Sequence, residues 1–178
     1  MVHTPQLHDS PEIGSPLLPK LIFMCGKMAA GKTTLSRELA AREAAVLLVQ
    51  DEFLAALYPG EILDILDFVR CSSRLRDALS PHVGALLAKG ISVALDFPGN
   101  TKKQRAWFRA LFEQAGAAHE LHFIDVPDDL CKRQLKDRSK HLPVGSPWTT
   151  DAEFDAITAY FKAPAAEERF NVIRHERS

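Results

Sequence analysis

Short, mostly apolar runs alternate with amphipathic segments along most of the chain. Each run is four or five residues long, and a strand that is buried on both faces has this nearly continuous apolar character. The runs therefore predict five strands, at residues 21–25, 46–49, 91–95, 121–124 and 170–173.

The segments between these runs have the period of amphipathic helices. Leu35 and Leu39, for example, are four residues apart and predict one apolar face for a helix over 32–43. Ser80 and Pro81 are expected to end one helix and begin another within the long apolar pattern that follows the second strand. These two helices together cover 61–89. The other predicted helices cover 101–115, 127–138 and the stretch from Thr150 to just before Pro164.

This alternation of strands and helices predicts an α/β fold, with a parallel sheet covered by helices on both faces. Ligands of such sheets bind at the carboxyl ends of the strands. The segments that follow the strands are therefore the candidates for a functional site, namely 26–33, 50–52, 96–101 and Asp125.

The first of these segments, residues 26–33, has the complete pattern G-x-x-x-x-G-K-[ST]. Its glycines let the backbone turn tightly enough for successive N–H groups to face one phosphate, and the following helix adds its positive end. Lys32 is predicted to reach the β- and γ-phosphates, and the Thr33 hydroxyl to contact Mg²⁺. The predicted phosphate-binding residues are Gly26, Lys27, Met28, Ala29, Ala30, Gly31, Lys32, Thr33 and Thr34.

Composition narrows the classes of partner. The 178 residues favour one domain, at 20–178, preceded by a flexible, proline-interrupted arm at 1–19. The formal net charge is -1, so the overall charge does not favour a polyanionic partner. No apolar stretch is long enough for a bilayer and the start does not resemble a signal peptide, so we expect a cytoplasmic protein without membrane contact.

Two carboxylates follow neighbouring predicted strands. Asp51 comes after the second strand and is predicted to accept the proton of an attacking hydroxyl, with Glu52 beside it in the substrate site. Asp96 comes at the end of the third strand and is predicted to hold Mg²⁺ or its water. The alternative role for either aspartate is to cap the amino end of a helix or to lie in a solvated turn.

A basic segment precedes a stretch rich in proline and glycine, which is suited to a mobile lid at about 138–150. Arg138 and Arg133 are the predicted catalytic arginines that would close over the phosphates. For Lys132 and Lys136, a solvated helix face is the preferred interpretation.

With these motifs the chain resembles the small P-loop kinases that include polynucleotide kinase, the zeta toxins and chloramphenicol phosphotransferase, and most closely the AAA_33-type members. The resemblance spans residues 21–172. It implies a three-layer kinase fold with a five-stranded parallel sheet in the order 2-3-1-4-5, Asp51 as the base and Asp96 near the metal. Its carriers are residues 26–33, 50–52, 90–96, Asn100, Thr101, Arg105, 125–127 and Arg138.

The chain departs from this family pattern at two positions. Gln134 replaces a lid arginine that members often have, which leaves open whether Arg133 substitutes for it. Leu54 replaces a basic residue that polynucleotide kinases use on the substrate phosphate. A nucleic-acid acceptor is therefore disfavoured.

The expected activity is transfer of the γ-phosphoryl group of ATP, with Mg²⁺, to a hydroxyl of a small molecule. Arg105 is expected to contact acceptor or nucleotide, with a surface ion pair as the alternative. The other functions left open are a polynucleotide 5′-hydroxyl kinase, a nucleotide-sugar kinase like the zeta toxins, and a non-catalytic ATP-binding switch. A monomer or weak dimer is expected.

Overall fold

A five-stranded parallel sheet forms the centre of the protein. The computed structural model describes residues 18–142, 146 and 149–177. The strands are β1 Lys20–Gly26, β2 Val46–Val49, β3 Val93–Pro98, β4 Ala118–Asp125 and β5 Val172–Glu176. Their order is β2-β3-β1-β4-β5 and every neighbouring pair is parallel, which confirms the predicted topology.

Helices cover both faces of this sheet. They are α1 Lys32–Arg42, α2 Gln50–Leu57, α3 Ile65–Ala88, α4 Lys102–Ala115, α5 Asp128–Ser139 and α6 Asp151–Thr158. Phe23 on one face of β1 shares a core with α3 and α4, whereas Ile22 and Met24 on the other face pack with Leu39 of α1. The three-layer α/β architecture is thus confirmed. Among the described residues, no helix combines the length and the apolar character that crossing a membrane requires.

Helix α3 is continuous, so the predicted break at Ser80 and Pro81 is wrong. Pro81 lies inside the helix, and the Ser80 hydroxyl donates to the Arg76 carbonyl at 2.6 Å. Leu75 before the proline and Val83 after it are buried in the same core. This packing on both sides of Pro81 outweighs the backbone hydrogen bond that a proline removes.

Several predicted boundaries also move. Strand β3 begins at Val93 and extends to Pro98, and β5 is displaced toward the carboxyl end relative to 170–173. The predicted arm at 1–19 lies almost entirely outside the described residues, and so does part of the predicted lid.

Two histidines contact each other where β4 and β5 pair. His122 Nδ1 lies 2.9 Å from His175 Nε2, and its Nε2 lies 3.2 Å from Glu120. Lys20 pairs with Glu120 at 2.8 Å and with Glu43, the residue after α1, at 3.2 Å. When both imidazoles are neutral, one N–H lies between the two rings and forms a hydrogen bond. Protonation of both rings would place two positive charges side by side, and these charges would repel each other.

We expect the fold to lose stability in mild acid because of this pair. Burial lowers the pKa of His122 and of His175, and Arg42 acts in the same direction on both, as Arg177 does on His175. The hydrogen bond with Glu120 raises the pKa of His122 and offsets only part of this lowering. Below the ordinary histidine pKa of about 6.5 the unfolded chain binds more protons, so the free energy of unfolding falls as the pH decreases. The loss is at most about 1.4 kcal/mol per pH unit for each histidine.

Urea unfolding between pH 7.5 and 5.5 measures this effect. A His122→Gln variant should show a smaller decrease than the parent, whereas His82→Asn, at an exposed position of α3, should match the parent. An equal decrease in His122→Gln and the parent would exclude His122 as a source of the pH dependence.

Candidate functional site

The phosphate-loop motif connects β1 to α1 in a backbone conformation that few residues adopt. Gly31 has φ 98° and Ala29 has φ 59°, both in the left-handed region. Ala30 is buried, and Ile124 and Val126 of the β4 end belong to the same apolar cluster. The loop is therefore packed against the sheet and is not an ordinary solvated glycine turn.

The connection between β3 and α4 holds the start of this loop. The Gly26 N–H donates to Asn100 Oδ1 at 3.0 Å, and the Gly99 N–H donates to the Met24 carbonyl at 2.9 Å. A Cβ on Gly99 would lie 2.6 Å from that carbonyl oxygen, so the two backbones approach as closely as a glycine permits. Asn100 thereby has a positioning role that motif reading alone did not define.

A Gly99→Ala variant should destabilise the fold by about 1–3 kcal/mol, because the new methyl group forces the two strands apart. Gly84→Ala is the matched control, since nothing lies within 4 Å of its Cβ position inside α3. That control should stabilise by about 0.5–1 kcal/mol through helix propensity. Denaturant unfolding measures the change in the free energy of unfolding for each variant. Equal changes of the same sign in the two variants would contradict the close approach of the two backbones at Gly99.

The side chain of Lys32 folds back onto the phosphate loop. Its Nζ donates to the carbonyls of Gly26 at 2.8 Å and Lys27 at 2.7 Å. Burial lowers the pKa of Lys32, while the negative charges of Asp96 and Asp51 oppose this shift. The ammonium is therefore held against the backbone of the loop by these two carbonyls.

Asp96 lies beside this lysine on β3. Asp96 is only 9% exposed, and the Thr33 side chain lies next to its carboxylate. Burial raises the pKa of Asp96, while the Thr33 hydrogen bond and the charge of Lys32 lower it. A carboxylate next to a hydroxyl provides the hard oxygen ligands that Mg²⁺ prefers, so the donor set fits this metal.

Asp51 lies at the neighbouring strand end, in the first turn of α2, and is exposed. Its charge acts on both Lys32 and Asp96, so the structure brings the three groups to one edge of the sheet. Neither aspartate is a helix N-cap: Val49 occupies that position in α2, and Asp96 lies within β3. Glu52 is directed to α1 instead, where it pairs with Arg37 at 2.9 Å.

Arg105 requires a correction. Its side chain is fully buried, and it pairs with Glu168 through two nitrogens, at 2.6 and 2.8 Å. Its remaining N–H groups donate to the carbonyls of Gly99, Lys162 and Ala163. With all five N–H groups bonded, Arg105 has none for an acceptor or nucleotide, and the pair is not on the surface either.

The predicted lid arginines lie on α5. Arg133 and Arg138 are both exposed, and neither forms an ion pair with any other described residue. Lys132 pairs with Asp155 at 2.6 Å and Lys136 with Asp151 at 3.1 Å, so these lysines connect α5 to α6 and do not form a purely solvated face.

Arg177 is a residue that sequence reasoning missed. Its Nη1 lies 3.1 Å from the position that a Cβ on Gly31 would occupy, which places a guanidinium against the phosphate loop. No local motif marks this arginine; only the pairing of β5 with β4 brings it there. It also borders a pocket of about 400 Å³ beside the loop, whose lining residues are Lys27, Asp125, Val126, Pro127, Glu176 and Arg177.

The sheet order and the phosphate loop define a protein with the fold of the P-loop kinases. A candidate kinase from Chloroflexus aurantiacus matches with a TM-score of 0.68 and 20% identity, over 89% of this chain and 88% of that chain. Kti12 from Chaetomium thermophilum, solved with ADP-AlF3, matches with a TM-score of 0.64 and 18% identity, over 88% of each chain. The Mycobacterium tuberculosis APS kinase CysC, solved with AMPPNP and APS, matches with a TM-score of 0.57 and 19% identity, over 92% of each chain.

At these identities the likeness establishes a shared fold. The model of the AAA_33 family, described as an AAA domain, matches residues 21–164. The chain therefore belongs to the AAA_33 family. No protein of curated function matches the sequence.

Proposed function

We propose that the protein is an ATP- and Mg²⁺-dependent kinase that transfers the γ-phosphoryl group to a hydroxyl of a small molecule. The observation that carries the proposal is the convergence of Lys32, Asp96 and Asp51, whose charges act on one another at one edge of the sheet. A phosphate loop alone fits any nucleotide-binding protein, whereas a second, exposed acid beside Asp96 fits phosphoryl transfer.

The donor site is formed by residues 26–34. The loop amides and the start of α1 would bind the phosphates, and Lys32 would exchange its two carbonyl partners for β- and γ-phosphate oxygens. Thr33 and Asp96 would hold Mg²⁺, which neutralises charge on the transferred group. Arg177 would contact the nucleotide from the β5 side, and Arg138 with Arg133 would approach from α5.

The acceptor hydroxyl would bind next to Asp51. In-line transfer needs the hydroxyl oxygen near the γ-phosphorus, with its proton directed at a base. Asp51 is exposed and in the first turn of α2, so a substrate can reach it, and its negative charge favours a nearby proton donor. Glu52, paired with Arg37, would have at most an indirect role in that binding.

The alternatives differ in measurable ways. A polynucleotide kinase requires a basic channel, and its binding weakens steeply with salt; the near-neutral net charge and Leu54 in α2 argue against it. A nucleotide-sugar kinase would share the whole donor site and differ in its acceptor. A non-catalytic switch would bind ATP without turnover.

A coupled assay for ADP release tests the proposal. The parent is incubated with Mg·ATP and a panel of sugars, hydroxyl-bearing antibiotics, nucleotide sugars and 5′-hydroxyl oligonucleotides, at two salt concentrations. ADP release above the water background with a small alcohol, insensitive to salt, supports it. Tight Mg·ATP binding without release from any acceptor would leave the switch as the function.

A further inference from the structure

The segment that follows β2 contains acids but no cations over an unusual length. From Glu43 to Val69 there is no lysine, arginine or histidine. The first cation after this gap, Arg70, pairs with Asp67 at 2.7 Å. The acids from the end of β2 onward are Asp51, Glu52, Glu61, Asp64 and Asp67.

The first turns of α3 rise above the carboxyl edge of the sheet. A helix of 24 residues is about 36 Å long, whereas the six residues of β3 span about 20 Å. Because α3 ends where β3 begins, the excess length lies at its amino end, on the side of the candidate site. Its buried residues accordingly begin at Cys71.

This raised part of α3 presents large apolar side chains to solvent. Leu66 is 74% exposed and Val69 is 56% exposed, and they lie one turn apart on the same side of the helix. Leu63, just before the helix, is 77% exposed. We call these three side chains the apolar wall. Contiguous exposed apolar side chains are typical of binding surfaces.

The acidic surroundings restrict what binds there. Phosphates and carboxylates are normally recognised by arginine or lysine, and Arg70 on α3 and Arg37, which contacts α2, are each already paired with an acid. An anionic acceptor would meet repulsion from Asp51 and Glu61 and would have to compete with these acids for a cation. An apolar surface, in contrast, gains free energy from covering an apolar part of a ligand.

We infer that the acceptor is an amphipathic alcohol without phosphate or carboxylate groups, whose apolar part packs on the apolar wall while its hydroxyl reaches Asp51. This inference rests on the proposed kinase function and names its substrate class. It separates the protein from kinases whose acceptors are sugar acids or nucleotides.

Two fluorescent probes with the same ring system test the surface. N-phenyl-1-naphthylamine is uncharged, and 8-anilino-1-naphthalenesulfonate carries a sulfonate. With Mg·AMPPNP present, the uncharged probe should bind the parent, and the double variant Leu66→Ser, Val69→Ser should weaken this binding at least fivefold. Ile91→Ser removes an exposed apolar side chain at the opposite edge of the sheet and should leave it unchanged.

The contribution of charge is measured separately. Glu61→Lys should strengthen binding of the sulfonate probe at least fivefold and change the uncharged probe less than twofold, and Glu113→Lys, on α4, should change neither. Unchanged binding of the uncharged probe to the double variant, or no response of the sulfonate probe to Glu61→Lys, would overturn the inference. So would light scattering that shows a dimer which the double variant dissociates, because the wall would then be covered by a second copy.

Acceptor kinetics complete the test. Among alcohols that the protein phosphorylates with release of ADP, a carboxylated compound should have a kcat/KM at least tenfold below that of its uncharged counterpart. The reverse order would refute the inferred class of acceptor. Failure of the kinase proposal itself would give a different result. Mg·ATP binding or ADP release would then be absent, although both probes bind as expected.

Discussion

A Lys32→Met variant is expected to lose Mg·ATP binding and to reduce phosphoryl transfer at least about 100-fold in kcat/KM. The Lys32 ammonium is held inside the phosphate loop by the carbonyls of Gly26 and Lys27. Phosphate oxygens are stronger partners for a cation than neutral carbonyls, so the group is positioned for the triphosphate. Methionine keeps the length of the side chain and removes its charge. Calorimetric titration with Mg·ATP measures the loss directly.

Lys89→Met is the matched control, because this lysine is exposed and lies at the end of α3, at the edge of the sheet away from the loop. It should bind Mg·ATP as the parent does. Thermal unfolding of both variants separates loss of binding from loss of the fold. Parent-like affinity for Mg·ATP in a folded Lys32→Met variant would refute the assignment of the donor site.

The parallel α/β architecture could be predicted from the sequence because it depends on local patterns, whereas the order of the strands came from the family resemblance. Short apolar runs, separated by amphipathic helices, leave a parallel sheet as the arrangement that buries both kinds of surface. The phosphate-loop pattern fixes its own backbone through Gly26 and Gly31. The prediction was wrong at Pro81, where the local rule favoured a helix end and the shared core of Leu75 and Val83 favoured continuity.

The site was predictable only where residues follow strands. Asp51 and Asp96 come at the ends of adjacent strands, so the order of the sheet alone brings them together. Arg105 was misassigned because its partner, Glu168, is 63 residues away along the chain. Arg177 was missed for the same reason, since no short motif connects it to Gly31. Such contacts depend on tertiary packing that a residue pattern does not contain.

Asp51 and Glu52 offer a direct comparison of two neighbouring carboxylates. Both are exposed in the first turn of α2, but Glu52 pairs with Arg37, whereas the charge of Asp51 acts on Lys32 and Asp96. Only Asp51 is therefore expected to act as the base. A positioned base typically contributes about 10²–10⁴-fold to the rate.

An Asp51→Asn variant should lower kcat for the acceptor by about 10²–10⁴-fold, because an amide of the same size cannot take the hydroxyl proton. Its affinity for Mg·ATP should equal or slightly exceed that of the parent, since a negative charge near the phosphates is removed. Glu52→Gln should reduce kcat less than tenfold. Single-turnover ADP release, with calorimetric titration of Mg·ATP, separates the chemical step from binding. Equal losses in the two variants would indicate that the acids act only through the total charge of the cleft, and near-parental transfer in Asp51→Asn would exclude Asp51 as the base.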